Sequence, residues 1–180
     1  AGGVNTGTAD LTLSSGAVAD QLLSETLWSG WGIRTMASDE AAFNPLSYHN
    51  GTVWPHDSAL GAWGLARHGH VEASRRVARA LIEAAGHFGW SLPEVFAGFP
   101  RTETPFPIAY PTAARPQAWA AGTPVLLLQV LLGLEADRRR HQLVTRNVSV
   151  RVGGRGYSLK TKKIEFAFDP AKSARRAYIA

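Results

Sequence analysis

Asn44-Pro-Leu-Ser-Tyr-His-Asn-Gly-Thr-Val-Trp-Pro-His-Asp57 is the stretch on which the reading of this chain turns. It keeps neither the 3.6-residue apolar period of a helix nor the two-residue period of a strand. Pro45, Gly51 and Pro55 punctuate it, so it reads as loop. With its N-terminal flank it makes one long loop over residues 29–56, containing Trp31, Phe43, Tyr48 and Trp54 and few charges. That composition argues against disorder, and a loop of such length inside a compact domain is usually functional.

Helical patterns lie on either side. Residues 16–28 place Val18, Leu22, Leu23 and Leu27 at helical spacing, with Ser15 as the expected N-cap. Residues 57–68 read as a second helix, capped by Asp57 or Ser58, with Leu60 and Trp63 facing inward and Gly69 at the C′ position. Residues 71–88 put Val77, Leu81, Ala84 and Phe88 on one stripe, and Glu72–Arg76 and Arg79–Glu83 as four-apart ion pairs on the other face. A second long loop, residues 89–114, holds five prolines. Residues 116–132 read as a helix kinked or restarted at Pro124 and ended by Gly133. It is apolar nearly all round from Val125, so it is expected to be central and buried. Val148, Val150 and Val152 alternate before Gly153-Gly154, and Ile164, Phe166 and Phe168 alternate after it, predicting one or two short strands. The expected architecture is mainly α: helices supply a scaffold and two aromatic loops carry the acting residues.

The 180 residues include no cysteine, which excludes disulfide scaffolds, cysteine-based zinc sites, iron–sulfur clusters and thiol nucleophiles. No run approaches the roughly 20 apolar residues of a bilayer span, and no signal peptide is visible. A cytoplasmic location is the resulting expectation. The first residue is not Met, so the chain is expected to begin inside a longer reading frame or after processing. The net charge of +5 is unevenly placed. Residues 1–137 hold seven arginines against twelve carboxylates, whereas residues 138–180 hold twelve Lys or Arg against Glu165 and Asp169. The domain reading is therefore a body over 1–137 and a basic tail with short strands over 138–180. A basic tail can bind nucleic acid or an anionic membrane surface. No RNA-binding or zinc-finger pattern accompanies it, so it reads as a solvated extension with neither partner expected.

The loops mix aromatics with Asn, His, Asp, Arg, Glu and Gln, which suits a sugar. Pyranose faces stack on Trp or Tyr, and hydroxyl edges need polar partners. No phosphate-binding glycine loop or metal-ligand spacing appears, and no cofactor is expected. Glu94 is the most suspicious carboxylate: it follows Pro93, lies between Leu92 and Val95, and has no basic residue within six positions. Apolar and aromatic surroundings suit a general acid or base; a solvent-exposed loop glutamate is the plainer alternative. Asp57 is also a plausible helix cap, His56 a structural histidine, and Trp63 a core residue. Trp54 and Trp119 fit either core or site. His68, His70 and His87 fall at helix ends or on a helix, where they serve the helix carbonyls.

At these loops the chain resembles a known family. Ser29-Gly-Trp-Gly-Ile-Arg-Thr35, the Asn44–Asp57 string, Leu92-Pro-Glu94, Gly98-Phe99 and Pro116-Gln-Ala-Trp-Ala-Ala-Gly122 are similar, in the same order, to the C-terminal part of bacterial glycogen-debranching-type amylo-α-1,6-glucosidases. That family is similar in turn to the inverting α-glycosidases that include trehalases and processing α-glucosidases. The resemblance implies part of an (α/α)6 toroid of the six-hairpin glycosidase kind, with short strands after the last helix. It implies two carboxylic acids acting on an α-1,6-linked or related α-glucan or oligosaccharide. Glu94 corresponds to the base, while the acid belongs to an upstream part of the barrel. Trp31, Arg34, Tyr48, His49, Asn50, Trp54, His56, Asp57, Gln117 and Trp119 would line a glucose pocket. Four helices against the twelve of a full toroid make the chain look like a last third of such an enzyme. The isolated chain is then expected not to hydrolyse glycosides, and its apolar helix 116–132 to lack partners. The competing readings are a non-catalytic carbohydrate-binding or assembly module, and a salt-sensitive binder driven by the basic tail.

Overall fold

The computed structural model describes residues 14–137, 139, 142–145, 148–152, 155–159 and 163–164. The chain divides into two compact units, Ala1–Leu127 and Leu128–Ala180. Helices make up most of its regular structure, with short strands confined to the C-terminal portion. This agrees with the expected helical class and is consistent with a piece of a helical toroid. No helix among the described residues is long and apolar enough to cross a membrane.

Helix α1 covers Ser15–Leu22 and is capped by Ser14, whose Oγ accepts the Ala17 N–H at 3.2 Å. The helix stops well short of residue 28. The Ser24 hydroxyl donates to the Gln21 carbonyl at 2.7 Å and accepts from the Leu27 amide, so local side-chain bonding replaces the next helical turn.

Helix α2 covers Pro55–Arg67, two residues earlier than expected. Proline at N1 gives up no bond that the helix would have used, and its fixed φ starts the first turn. Neither Asp57 nor Ser58 caps it; Trp54 occupies the cap position with no side-chain bond. The buried face is Pro55, Ser58, Ala59, Ala62 and Leu65. Leu60 and Trp63 face out, Trp63 being 38% exposed beneath the Arg67 guanidinium, which corrects the inward assignment of both. Small residues on the inner face bring α2 close to helix α3, Val71–His87, where the Ser74 hydroxyl donates to the Ala62 carbonyl at 2.7 Å.

Val77, Leu81 and Ala84 of α3 are fully buried, as their spacing predicts, and Phe88 packs below them. The ion pairs differ from the four-apart scheme. Arg75 pairs with Glu72 at 2.7 Å, Glu83 pairs with Arg101, and Arg76 lies over the Trp28 ring at 5.0 Å. Exposed pairs are worth little, so a nearby ring or a better-placed arginine readily displaces them.

The two long loops are stitched together by single antiparallel bridges in a row: Arg34 to Val53, Val53 to Phe96, and Phe96 to Ala109. Val53 and Phe96 exchange amide bonds of 2.9 and 3.0 Å, and both are wholly buried. Around them lie Trp31, Ala84, Ala85, Phe88, Leu92 and Ala120. Backbone groups that would otherwise be buried without partners are satisfied in this ladder.

Helix α4 covers Ala118–Leu131 with Pro124 inside it. It is not buried all round. Ala120, Thr123 and Leu127 face protein, while Trp119, Val125 and Leu128 are 58%, 70% and 56% exposed. Its apolar surface exceeds what the described residues cover, which corrects the expectation of a central, buried helix.

In the second unit, Gly133 takes φ 57° just after α4. Strands β1 (Leu134–Asp137), β2 (Gln142–Thr145) and β5 (Lys163–Ile164) form an antiparallel sheet in the order β1-β2-β5, and β3 (Val148–Val152) pairs antiparallel with β4 (Arg155–Leu159). β3 and the Ile164 strand coincide with the sequence reading; β1, β2 and β4 are additional, and their brief patterns carry little periodic signal. Gly153-Gly154, Phe166 and Phe168 lie outside the described residues.

Candidate active site

Glu94 sits where the second loop crosses the first. Its neighbours Leu92, Pro93 and Val95 are buried, but its own side chain is only half-buried. The Glu94 amide donates to the Ala114 carbonyl at 3.0 Å, and the Ala114 amide returns a bond to Glu94 Oε2 at 3.3 Å. The backbone is thus anchored in the core while one carboxylate oxygen is held by a backbone amide.

Tyr48 stands beside this carboxylate. Its pKa is raised above the ordinary tyrosine value, first by side-chain hydrogen bonding with Glu94, then by desolvation, and then by the charges of Glu94 and Tyr110. An anion next to a phenol opposes its ionisation. The ring is packed by His49 at 4.6 Å, Trp54 at 4.8 Å and Tyr110 at 5.7 Å between centroids. His49 and Trp54 are stacked nearly parallel, 5.6 Å apart. The Tyr48 carbonyl accepts from Thr52 Oγ1 at 2.8 Å and from Trp54 Nε1 at 3.1 Å. A carboxylate and an aromatic wall therefore meet at one place, although they are about 46 residues apart in sequence. Such a place can take a proton at an oxygen, while Trp54 itself is buried with His49 stacked against its ring.

The remaining candidates divide. His56, half-buried, and Trp119, exposed, approach ring to ring at 5.2 Å. Asp57 is exposed in the first turn of α2. Asn50 is half-buried, and its carbonyl accepts from the Asn44 amide at 2.8 Å.

Four of the expected pocket residues have structural positions instead, Trp54 among them, buried with its Nε1 bonded to the Tyr48 carbonyl and Thr52 Oγ1. Trp31 is 1% exposed, packed edge-on by His87 and covered by the Arg101 guanidinium at 4.1 Å, so no ring face is open to a sugar. Arg34 is buried. Its Nε donates to the Gly98 carbonyl at 2.7 Å and its Nη1 to the carbonyls of Glu25 and Thr26; burial lowers its pKa, partly offset by the charge of Glu103. Gln117 Oε1 accepts the Ala120 amide at 2.9 Å, closing the first turn of α4. Trp31 and Arg34 thus serve the core, and Gln117 holds a helix end.

Sequence reasoning did not single out Tyr110 or Thr52. Tyr110 was signalled by being an aromatic in the second long loop; Thr52 carries no local signal, since its role depends on where the chain folds back. Among the described residues no group of three or more His, Asp and Glu is placed to hold a metal. A cavity of about 680 Å³ lies between α3 and the segments around Trp28 and Arg101. It is lined by interleaved Arg and Glu and includes none of the residues around Glu94, so the Glu94 cluster is the better site on chemical grounds.

Residues 9–93 match the family model of the mannosylglycerate hydrolase MGH1-like glycoside hydrolase domain. No curated protein matches the chain. The match supports a glycosidase of the six-hairpin type and carbohydrate hydrolysis in general; it does not single out α-1,6 debranching. The matched segment contains the Asn44–Asp57 loop and ends one residue before Glu94.

Proposed function

We propose that this chain carries the base side of an inverting glycoside hydrolase, with Glu94 as the general base and an α-linked glucan or oligosaccharide as substrate. One observation supports it above the others: Glu94 is a half-buried carboxylate in an otherwise buried loop segment, with one oxygen tied to the Ala114 amide. In the reaction, Glu94 takes a proton from a water as that water's oxygen bonds to the anomeric carbon. The glycosidic oxygen leaves with a proton from a second carboxylic acid. In inverting enzymes the two carboxyl groups stand roughly 6.5–9.5 Å apart, leaving room for the water. The upstream part of the barrel is proposed to supply that acid and the rest of the pocket.

A second reading of the substrate follows from the family match. A small glycoside such as mannosylglycerate would use the same base and aromatic wall with a different sugar and aglycone. Amide and indole NMR of the chain titrated in parallel with maltotriose and mannosylglycerate tests both. Shifts at Trp54, Tyr48 and Tyr110 with maltotriose alone support the glucan reading, and with mannosylglycerate alone the second. No response to either refutes sugar binding by the chain. In the complete barrel, Glu94→Gln is expected to abolish hydrolysis and retain binding; retained hydrolysis overturns the role of Glu94.

A further inference from the structure

We propose that the cavity between α3 and the segments around Trp28 and Arg101 is a binding site for a phosphate monoester. Arg76 and Arg79 hold the phosphate, and Trp28 walls its organic body. None of the residues around Glu94 lines this cavity, so the site stands apart from the role given to Glu94.

The cavity holds about 680 Å³, within the range of about 300–1,000 Å³ typical of small-molecule sites. Four arginines line it, Arg75, Arg76 and Arg79 from α3 and Arg101 from the second long loop, against Glu25, Glu72 and Glu83. The pairing of these charges decides what the cavity can hold. Along α3, Glu72 and Arg76 stand four apart, as do Arg79 and Glu83, so each pair is spaced to neutralise itself. The fold takes both carboxylates elsewhere: Glu72 pairs with Arg75 at 2.7 Å, and Glu83 pairs with Arg101. Arg76 and Arg79 are left with no ion pair among the described residues. Standing three apart on one helix, they share a face. A guanidinium is not deprotonated in a protein, so both remain charged donors at the cavity wall. Arg76 lies over the Trp28 ring at 5.0 Å, which sets its head group beside an apolar wall continued by Leu23 and Pro100. Two unpaired guanidinium groups match a phosphate monoester better than a lone carboxylate. The phosphate carries about −1.5 to −2 charge near pH 7 and offers three acceptor oxygens to the planar N–H forks. Its ester group then packs on the apolar wall. Glu25 is the opposing charge: it lines the cavity, makes no ion pair among the described residues, and repels an anion there.

The test is ¹H–¹⁵N NMR of the 180-residue chain at low salt, titrated with phenyl phosphate, inorganic phosphate and benzoate. The Trp28 indole and the arginine Nε–H signals are the readout. Phenyl phosphate is expected to shift Trp28, Arg76 and Arg79 saturably. Inorganic phosphate, lacking a body for the apolar wall, is expected to bind more weakly, and so is benzoate, with its single charge. Arg79→Gln is expected to raise the phenyl phosphate Kd about tenfold or more, the scale of one lost hydrogen bond from a charged donor. Glu25→Gln is expected to lower it. Arg67→Gln, on α2 and outside the cavity, is expected to leave it unchanged. If Arg79→Gln does not fold, Arg79→Lys replaces it: the charge stays, the fork is lost, and the Kd is expected to rise by a smaller factor. Absence of saturable shifts up to about 10 mM phenyl phosphate overturns the proposal. So do shifts confined to the basic residues 138–180, or equal losses in the Arg79 and Arg67 variants, since both mark unspecific charge attraction. Benzoate binding as tightly as phenyl phosphate overturns the assignment to a phosphate.

Discussion

Replacing Gly98 by alanine is expected to be among the most damaging single changes in the first unit. A Cβ built on Gly98 falls 1.7 Å from the Gly51 carbonyl oxygen and 2.8 Å from its carbon. Ordinary carbon–oxygen contacts begin near 3.3 Å, so the two backbones must separate by about 1.5 Å, and no rotamer change can help. Gly51 cannot retreat easily, because a Cβ at its own position would lie 2.7 Å from both the Asn44 carbonyl oxygen and the Phe43 ring. Separation also pulls on the Gly98 carbonyl, which accepts from Arg34 Nε at 2.7 Å, and on the Gly98 amide, which donates to Pro45 at 2.9 Å. A hydrogen bond from a charged donor is worth about 1.5–3 kcal/mol and a neutral one about 0.5–1.5. Overpacking adds about 1–3 kcal/mol. With both bonds weakened instead of lost, the expected destabilisation is about 3–6 kcal/mol, comparable to the whole stability of many domains. Urea unfolding followed by tryptophan emission reads it as a fall in midpoint of more than about 1 M. Gly64 in α2 is the control: its Cβ meets nothing within 4 Å, so Gly64→Ala should be neutral or stabilise by about 0.5–1 kcal/mol. A loss below about 1 kcal/mol for Gly98→Ala, or equal effects at the two glycines, would refute the close-approach argument.

Phe96, at 0% exposure in the middle of the loop ladder, should cost about 3–5 kcal/mol on truncation to alanine, measured by the same unfolding assay. Glu83→Gln removes an exposed ion pair with Arg101 and should change stability by less than about 1 kcal/mol; a larger loss in a thermal melt would show that the pair anchors Arg101 on Trp31. Tyr48 gives an alkaline dependence. The folded state holds its proton more tightly than the unfolded chain, so this linkage favours folding fully below about pH 10, the ordinary tyrosine value. It is lost as pH rises through the higher folded value. Unfolding midpoints across that range should fall more steeply for wild type than for Tyr48→Phe.

Much of the helical scaffold was legible locally. The stripe Val77–Leu81–Ala84 is buried as its spacing implies, and Gly69 and Gly133 take the positive φ expected after a helix. Helix starts moved by small steps where a side chain decided them: Ser14 in place of Ser15, and Pro55 in place of Asp57. The inner face of α2 was misread because bulk was taken as the sign of burial. Its inward residues are small so that α3 can approach, and that requirement belongs to the partner helix. Glu94 and Tyr48 stood out by composition, but Trp31, Arg34 and Gln117 carry the same residue types and serve the core and a helix end.

By itself the amino-acid order determined the helical class, the places where helices give way to loops, the uneven charge, and the sugar-like chemistry of those loops. These depend on periodicity, on proline and glycine stereochemistry, and on residue type, all of which act over a few positions. Only the tertiary structure decided that Val53 and Phe96 pair, that Gly98 rests on the Gly51 carbonyl, and that Tyr48 meets Glu94. Each is a contact between segments more than forty residues apart. Such a contact is set by which surfaces close against each other when the core excludes water, and no local pattern encodes that choice.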